Sequence, residues 1–290
     1  MPARHFRLTE GLPEPIREGV GKLIDELEIP QDYPAEVLAE VDQVVKEGYD
    51  TSLGHADLTD VDFVTIDPPG SMDLDQAMHL SRDGEGFLVR YAIADVAAWV
   101  RPGGAIDTDV RRRGLSYYAP HTRLGLHPPA LSEQAASLLA DGIPRPAQVW
   151  QIRLDADGVV TDSSVIRALV RSRAKLSYEQ VQDDIDAGRA PESLMLLKQV
   201  GRLRHQVEID RGGVSLDLPD QEVVADGEQW NLIYRQPLPD EGWNAQISLL
   251  TGYTAAAMML EGGVGLLRSL PPASEQTISC LLYTSDAADD

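Results

Sequence analysis

The pattern of apolar and polar positions divides the chain into a helical opening, a strand-rich middle and a mixed end. Within residues 1 to 56, Val37, Leu38, Val41, Val44 and Val45 recur at helical spacing. Pro34 stands where a helix opens and Gly48 where it stops. This segment is expected to be a packing element. From 57 to 165 the period shortens to that of strands. Phe63 to Ile66 reads as a short apolar strand, and Phe87 to Ala94 as another after the turn Asp83-Gly84-Glu85-Gly86. Gln148 to Leu154 and Val159 to Ile166 flank Asp155-Ala156-Asp157-Gly158, which predicts a hairpin. A proline-rich loop region runs from Tyr117 to Pro146. Helix returns over 177 to 210: Ser177 and Gln180 match a capping box, Pro191 opens a second helix, and Gly212-Gly213 breaks it. A hairpin around Asp226-Gly227 and a helix from about Trp243 to Leu260 complete the pattern.

With 290 residues, 43% of them hydrophobic, the chain is long enough for one large domain or two small ones. No run of about 18 apolar residues predicts a membrane span. Met1 to Arg17 mixes charge and proline without a signal-like apolar stretch. Cys280 is the one cysteine, so an intramolecular disulfide is excluded, and a cytoplasmic monomer is expected. The net charge of −22 argues against a broad basic face for duplex nucleic acid. RNA would need a local funnel inside an acidic shell, or metal ions to offset the carboxylates. The plainer meaning of the charge is solubility.

The most informative stretch is Thr65-Ile66-Asp67-Pro68-Pro69-Gly70-Ser71-Met72-Asp73-Leu74-Asp75-Gln76-Ala77. A strand ends in Asp67, a tight turn follows, and Asp73 and Asp75 would share one face if extended. Three carboxylates gathered there repel and raise one another's pKa, which a hard divalent cation such as Mg2+ or Mn2+ relieves. Such a cluster fits phosphodiester hydrolysis. The alternative is a loop whose aspartates cap backbone amides.

The same string resembles the aspartate signature of the ribonuclease II and ribonuclease R catalytic domain, the RNB domain. Further segments match in order: Tyr91-Ala92-Ile93-Ala94-Asp95-Val96, then Arg113-Gly114-Leu115-Ser116-Tyr117-Tyr118-Ala119-Pro120. Leu131-Ser132-Glu133 with Ala136-Ser137-Leu138, and Ala174-Lys175-Leu176-Ser177-Tyr178-Glu179-Gln180-Val181, follow. The resemblance covers roughly residues 57 to 270. It implies an α+β fold, a twisted, mostly antiparallel sheet flanked by helices, with RNA entering a narrow channel. It implies 3′→5′ hydrolysis of single-stranded RNA to nucleoside 5′-monophosphates. Asp67, Asp73 and Asp75 would be catalytic, with Asp67, Asp73 and Gln76 at the metal and Asp75 most tied to catalysis. Gln76 stands where the family usually has a second adjacent aspartate.

Tyr118 resembles the aromatic residue that meets the 3′-terminal nucleotide; a loop-anchoring tyrosine is the alternative. Arg113, within the run Arg111-Arg112-Arg113, and Arg171, Arg173 and Lys175 are candidate RNA-phosphate contacts, or else a solvated face paired with acids. Asp95 ends a strand beside the site, in a supporting or a turn-capping role. His127 and His205 have no metal-ligand spacing and are set aside.

The expected organisation is a helical segment over 1–56, a partial RNB-type domain over 57–279, and a tail over 280–290 resembling translated sequencing adapter. The family's later serine-proline-isoleucine-arginine motif does not occur in this sequence. A non-catalytic RNA-binding relative is the first alternative, and an unrelated magnesium phosphohydrolase the second.

Overall fold

The computed structural model describes residues 14–119, 122–213, 219–226, 229–267 and 273–286. The predicted turn residue Gly227, the first thirteen residues of the helical opening and the last four of the tail lie outside them. In chain order the elements are α1 (Glu14–Glu26), α2 (Ala35–Glu47), β1 (Ala56–Asp57), β2 (Phe63–Ile66), β3 (Gln76–Asp83), β4 (Gly86–Ala94) and α3 (Ala105–Arg113). A small hairpin, β5 (Tyr117–Ala119) with β6 (Thr122–Leu124), comes next. Then follow β7 (Arg145–Leu154), β8 (Val160–Val170), β9 (Ser172–Leu176), α4 (Tyr178–Asp186) and α5 (Glu192–Asp210). The paired strands β10 (Asp220–Asp226) and β11 (Gln229–Arg235) precede α6 (Pro239–Gly262) and α7 (Glu275–Asp286).

Seven strands form one sheet in the order β1-β8-β7-β4-β3-β2-β9. The four inner pairings are antiparallel; the outer pairings, β1 with β8 and β2 with β9, are parallel. The architecture is the expected α+β one. β4 lies at the sheet's centre, with both faces covered. Val89 and Tyr91 pack with Leu197, Val200, Ile247 and Leu250 of α5 and α6, while Ala92 packs with Ala147, Val149 and Ala168 in a second cluster. Burial on both sides explains why this strand reads as a near-continuous apolar run.

The helix signals act as chemistry requires. The Ser177 hydroxyl accepts from the Gln180 N–H at 3.2 Å, and the Gln180 side chain accepts from the Ser177 N–H at 3.0 Å. Val37, Val41 and Val44 bury one stripe of α2 against Trp99 and Ile106, whereas Leu38 and Val45 stay exposed. Other elements were not marked by the sequence pattern: β3 pairs with β2, α3 fills the stretch after Gly104, and the proline-rich region holds β5, β6 and a wide helical turn over Ala130–Ala135. No helix among the described residues is long and apolar enough to cross a membrane.

Candidate active site

The site gathers where β2 ends and β3 begins. Asp67 directly follows β2, and its N–H bonds the carbonyl of Leu176 at the end of β9 at 3.1 Å. Gly70 adopts φ of 90° in the turn that follows, a conformation that costs glycine little. Ser71 N–H bonds the Pro68 carbonyl at 3.2 Å, and the Lys175 ammonium donates to the Ser71 carbonyl.

The loop is then pinned from inside. Leu74 is fully buried. Its N–H donates to the Ser137 hydroxyl at 2.9 Å, that hydroxyl donates to the Met72 carbonyl at 2.7 Å, and Leu138 N–H returns to the Leu74 carbonyl at 2.9 Å. The Asp75 carbonyl accepts from Ala94 N–H at 2.9 Å. With Leu74 turned inward, Asp73 and Asp75 project together. Ser137 thus sets the aspartate loop. The sequence offered its motif but no sign of that contact.

The Asp75 side chain is exposed to solvent, yet protein crowds around it. That crowding, then the neighbouring Asp73 charge, raises its pKa to about 6, against the opposing pull of Arg123. Arg123 bridges Asp73 at 2.9 Å and Glu133 at 2.8 Å. It sits opposite Tyr118 in the β5–β6 register, and this brings the half-exposed Tyr118 beside the carboxylates. Burial chiefly, and then Asp73, raise the Tyr118 pKa. Sequence reasoning missed Arg123, because only the hairpin register aligns it with Tyr118.

A second group lies towards α4 and α6. Tyr91, almost fully buried, donates its hydroxyl to the Gln76 side-chain carbonyl and is also bonded by Ser248. Asn244 donates to the Tyr178 hydroxyl at 3.1 Å. Burial chiefly, with the Asp67 charge as a further cause, pushes Tyr91 up to about 12 and raises Tyr178 as well. Asp67 and Gln76 therefore share the surroundings of these tyrosines.

Among the described residues, no three His, Cys, Asp or Glu side chains are disposed to hold a metal ion. Of the three carboxylates, Asp73 and Asp75 feel each other's charge, while that of Asp67 acts at Tyr91 and Tyr178. Arg123 takes Asp73, and Tyr91 engages the Gln76 carbonyl. By donor chemistry the carboxylates suit a hard divalent ion, because Asp67, Asp73 and Asp75 offer hard oxygen donors.

The basic candidates separate. Arg113 is 4% exposed and clamps Asp109 at 2.6 Å, the Pro30 carbonyl at 3.0 Å and the Asp32 carbonyl, with its guanidinium over the Tyr33 ring. Its expected contact with RNA is corrected: it is an interior tie between α3 and the chain before α2. Arg171 and Arg173 both reach the Thr59 carbonyl, and Arg173 pairs with Asp62 at 2.9 Å, at the start of β2. Of these three only Lys175 touches the aspartate loop. Asp95 is buried and makes no helix cap; it accepts from Arg167 at 2.9 Å and from Gln148 at 3.4 Å. His127 is part-buried and its pKa is lowered by that burial, while His205 is exposed beside Glu208.

Fold and loop together define an α+β domain that carries a carboxylate-bearing loop at one end of a mostly antiparallel sheet. That domain is an RNB domain: the family's model matches residues 55–260, and the chain belongs to the RNB family. Curated relatives named Exoribonuclease 2 include that of Cronobacter sakazakii, 29% identical over 260 residues, covering 84% of this chain and 40% of the relative. The one from Klebsiella pneumoniae strain 342 is 30% identical over 267 residues, covering 86% and 41%. The chain therefore spans about two fifths of the length of these relatives. Among solved structures, Mycoplasma genitalium RNase R in complex with ribose methylated single-stranded RNA matches with TM-score 0.80 at 23% identity, covering 93% of this chain and 44% of that one. This second likeness shows the shared fold.

Proposed function

We propose that this chain carries the acidic loop of a 3′→5′ exoribonuclease that hydrolyses single-stranded RNA to nucleoside 5′-monophosphates. The observation that carries it is the paired projection of Asp73 and Asp75 around buried Leu74, with Asp75 raised to about 6. Membership of the RNB family and relatives named Exoribonuclease 2 support the same conclusion. Asp67 and Asp73 would hold Mg2+, or Mn2+ in its place; when bound, such an ion offsets phosphate charge and lowers the pKa of a bound water. A carboxylate oxygen of Asp75, in its ionised form, accepts the proton of the attacking water. Tyr118 offers a ring face to the terminal base whatever its identity, because every base has a π-face.

The test is incubation of the protein with 5′-labelled and 3′-labelled single-stranded RNA, with and without magnesium. Stepwise release of mononucleotides from the 3′ end is expected. Asp75→Asn should lower that rate by roughly 10³-fold and leave RNA affinity within about twofold. Internal cuts, or hydrolysis of small phosphate esters alone, would overturn the assignment. One alternative has an observation in its favour: Gln76, an amide where the family pattern has a charge, suits a protein that grips RNA ends without cutting. In that case RNA binds and no mononucleotide appears.

A further inference from the structure

The Gln76 carboxamide is held by one end. Its strand neighbour across β4 is Ile93, and Tyr91, two residues from Ile93, lies diagonally on the same face. The Tyr91 hydroxyl has one proton and two lone pairs. The proton goes to the Gln76 side-chain oxygen, and Ser248 of α6 also bonds the hydroxyl. A tyrosine this buried needs its hydroxyl satisfied, so the pairing fixes which end of the amide turns inward. Gln76 itself is exposed, and its amide nitrogen makes no hydrogen bond among the described residues. The element behind the pairing is rigid: α6 buries Ile247 and Leu250 on either side of Ser248 and anchors a second tyrosine through Asn244.

We propose that Gln76, oriented by Tyr91, is a neutral hydrogen-bond donor to a phosphodiester oxygen of the bound RNA strand, and that Tyr91 is its positioning residue. The inference rests on the RNA-binding reading of this site and goes beyond it. In place of a second negative charge, which would repel the strand, the position next to Asp75 offers two N–H groups. The amide therefore contributes to strand binding without any ion, and its orientation passes through Tyr91 to α6.

The test is fluorescence anisotropy of a 5′-fluorescein oligoadenylate with the whole chain in EDTA, with Mg2+ affinity measured separately by calorimetry. Gln76→Glu keeps an acceptor for Tyr91 and removes both donors; it should weaken RNA binding about tenfold. Tyr91→Phe keeps the ring and frees the amide; it should weaken binding about threefold and leave Mg2+ affinity unchanged. The double variant should bind no more weakly than Gln76→Glu alone, because the two side chains act as one unit. Additive losses, RNA affinity unmoved by Gln76→Glu, or a Tyr91→Phe effect confined to Mg2+ would each overturn the inference. Should Tyr91→Phe fail to fold by circular dichroism, Gln76→Ala decides: a loss similar to that of Gln76→Glu supports the donor, and unchanged binding sinks it. If the unaltered chain binds no oligoadenylate, the RNA-binding reading itself fails, which the first titration shows before any variant is made.

Discussion

Asp240 is an acid where the interior offers it little. It stands in the first turn of α6, 1% exposed, with no side chain among the described residues hydrogen-bonded to its carboxylate and only the backbone N–H groups of Asp240 and Glu241 facing it. Burial first, then the charge of Glu241 and more weakly that of Glu179, raises its pKa to about 7. A helix N-terminus favours negative charge by at most about 2 kcal/mol, and here desolvation outweighs it. The folded pKa lies above the unfolded one, so the folded chain keeps this proton where the unfolded chain has lost it. Stability from this group is therefore fully present near pH 4, falls as pH rises towards 7, and is flat above that. Asp240→Asn should raise stability by on the order of 2 kcal/mol at pH 8 and change it little at pH 4. Thermal melts of both proteins at the two pH values check this; equal shifts at both would contradict it. The sequence shows an acid in a first turn, which ordinarily faces water, so its burial was not legible. Arg113 taught the same lesson. Three adjacent arginines look alike as a basic run, and only the buried stripe of Ile106, Asp109 and Arg113 shows which one turns inward.

Elements with local punctuation were readable, and those fixed by distant partners were not. Pro34, the Ser177–Gln180 box and Pro191 each marked a real helix start. β3 gave no such signal, since Gln76 to Asp83 mixes buried Met78 and Leu80 with His79, Ser81 and Arg82. It is a strand because β4 and β2 pair with it on both edges. The crossing of α5 with α6 is likewise a contact between distant residues. A Cβ on Gly201 would lie 2.4 Å from the Trp243 Cβ, so the glycine lets the two helices approach. Ala in place of Gly normally favours a helix interior by about 1 kcal/mol. Here the overlap with Trp243 should win, because overpacking a core contact costs about 1–3 kcal/mol. Gly201→Ala is expected to destabilise the chain in urea unfolding by about 1 kcal/mol or more, and a stabilised variant would show that α6 can shift away without penalty. The α5–α6 pair backs the Tyr91 and Tyr178 side of the site, so the same substitution tests how firmly that wall is held.

For the molecule as a whole, the proposed function raises the question of how a chain of net charge −22 would admit a polyanion. The answer lies in where its cations are spent. Arg113 is interior, and Arg171 and Arg173 are tied to the Thr59–Asp62 loop at the far end of β2, so the basic cluster legible in the sequence does not become a phosphate track at the aspartates. Among the described residues whose contacts are seen, Arg123 and Lys175 are cations that touch the aspartate loop, and Arg123 is already bonded to Asp73 and Glu133. RNA held chiefly by these two, as proposed, would release few counterions. Each neutralised phosphate on a single strand contributes a slope of about −0.7 in log affinity against log salt, so the proposed RNA complex should show a slope between about −1 and −2. Lys175→Gln should make it shallower by about 0.7. The Ser71 carbonyl keeps a neutral donor in that variant, so the loop should stay closed and the charge alone be lost. Anisotropy titrations of a labelled single strand at several salt concentrations measure both slopes. A slope much steeper than −2 would mean that a basic surface other than Arg123 and Lys175 carries the strand. An unchanged slope in Lys175→Gln would mean that this ammonium serves only to hold the turn.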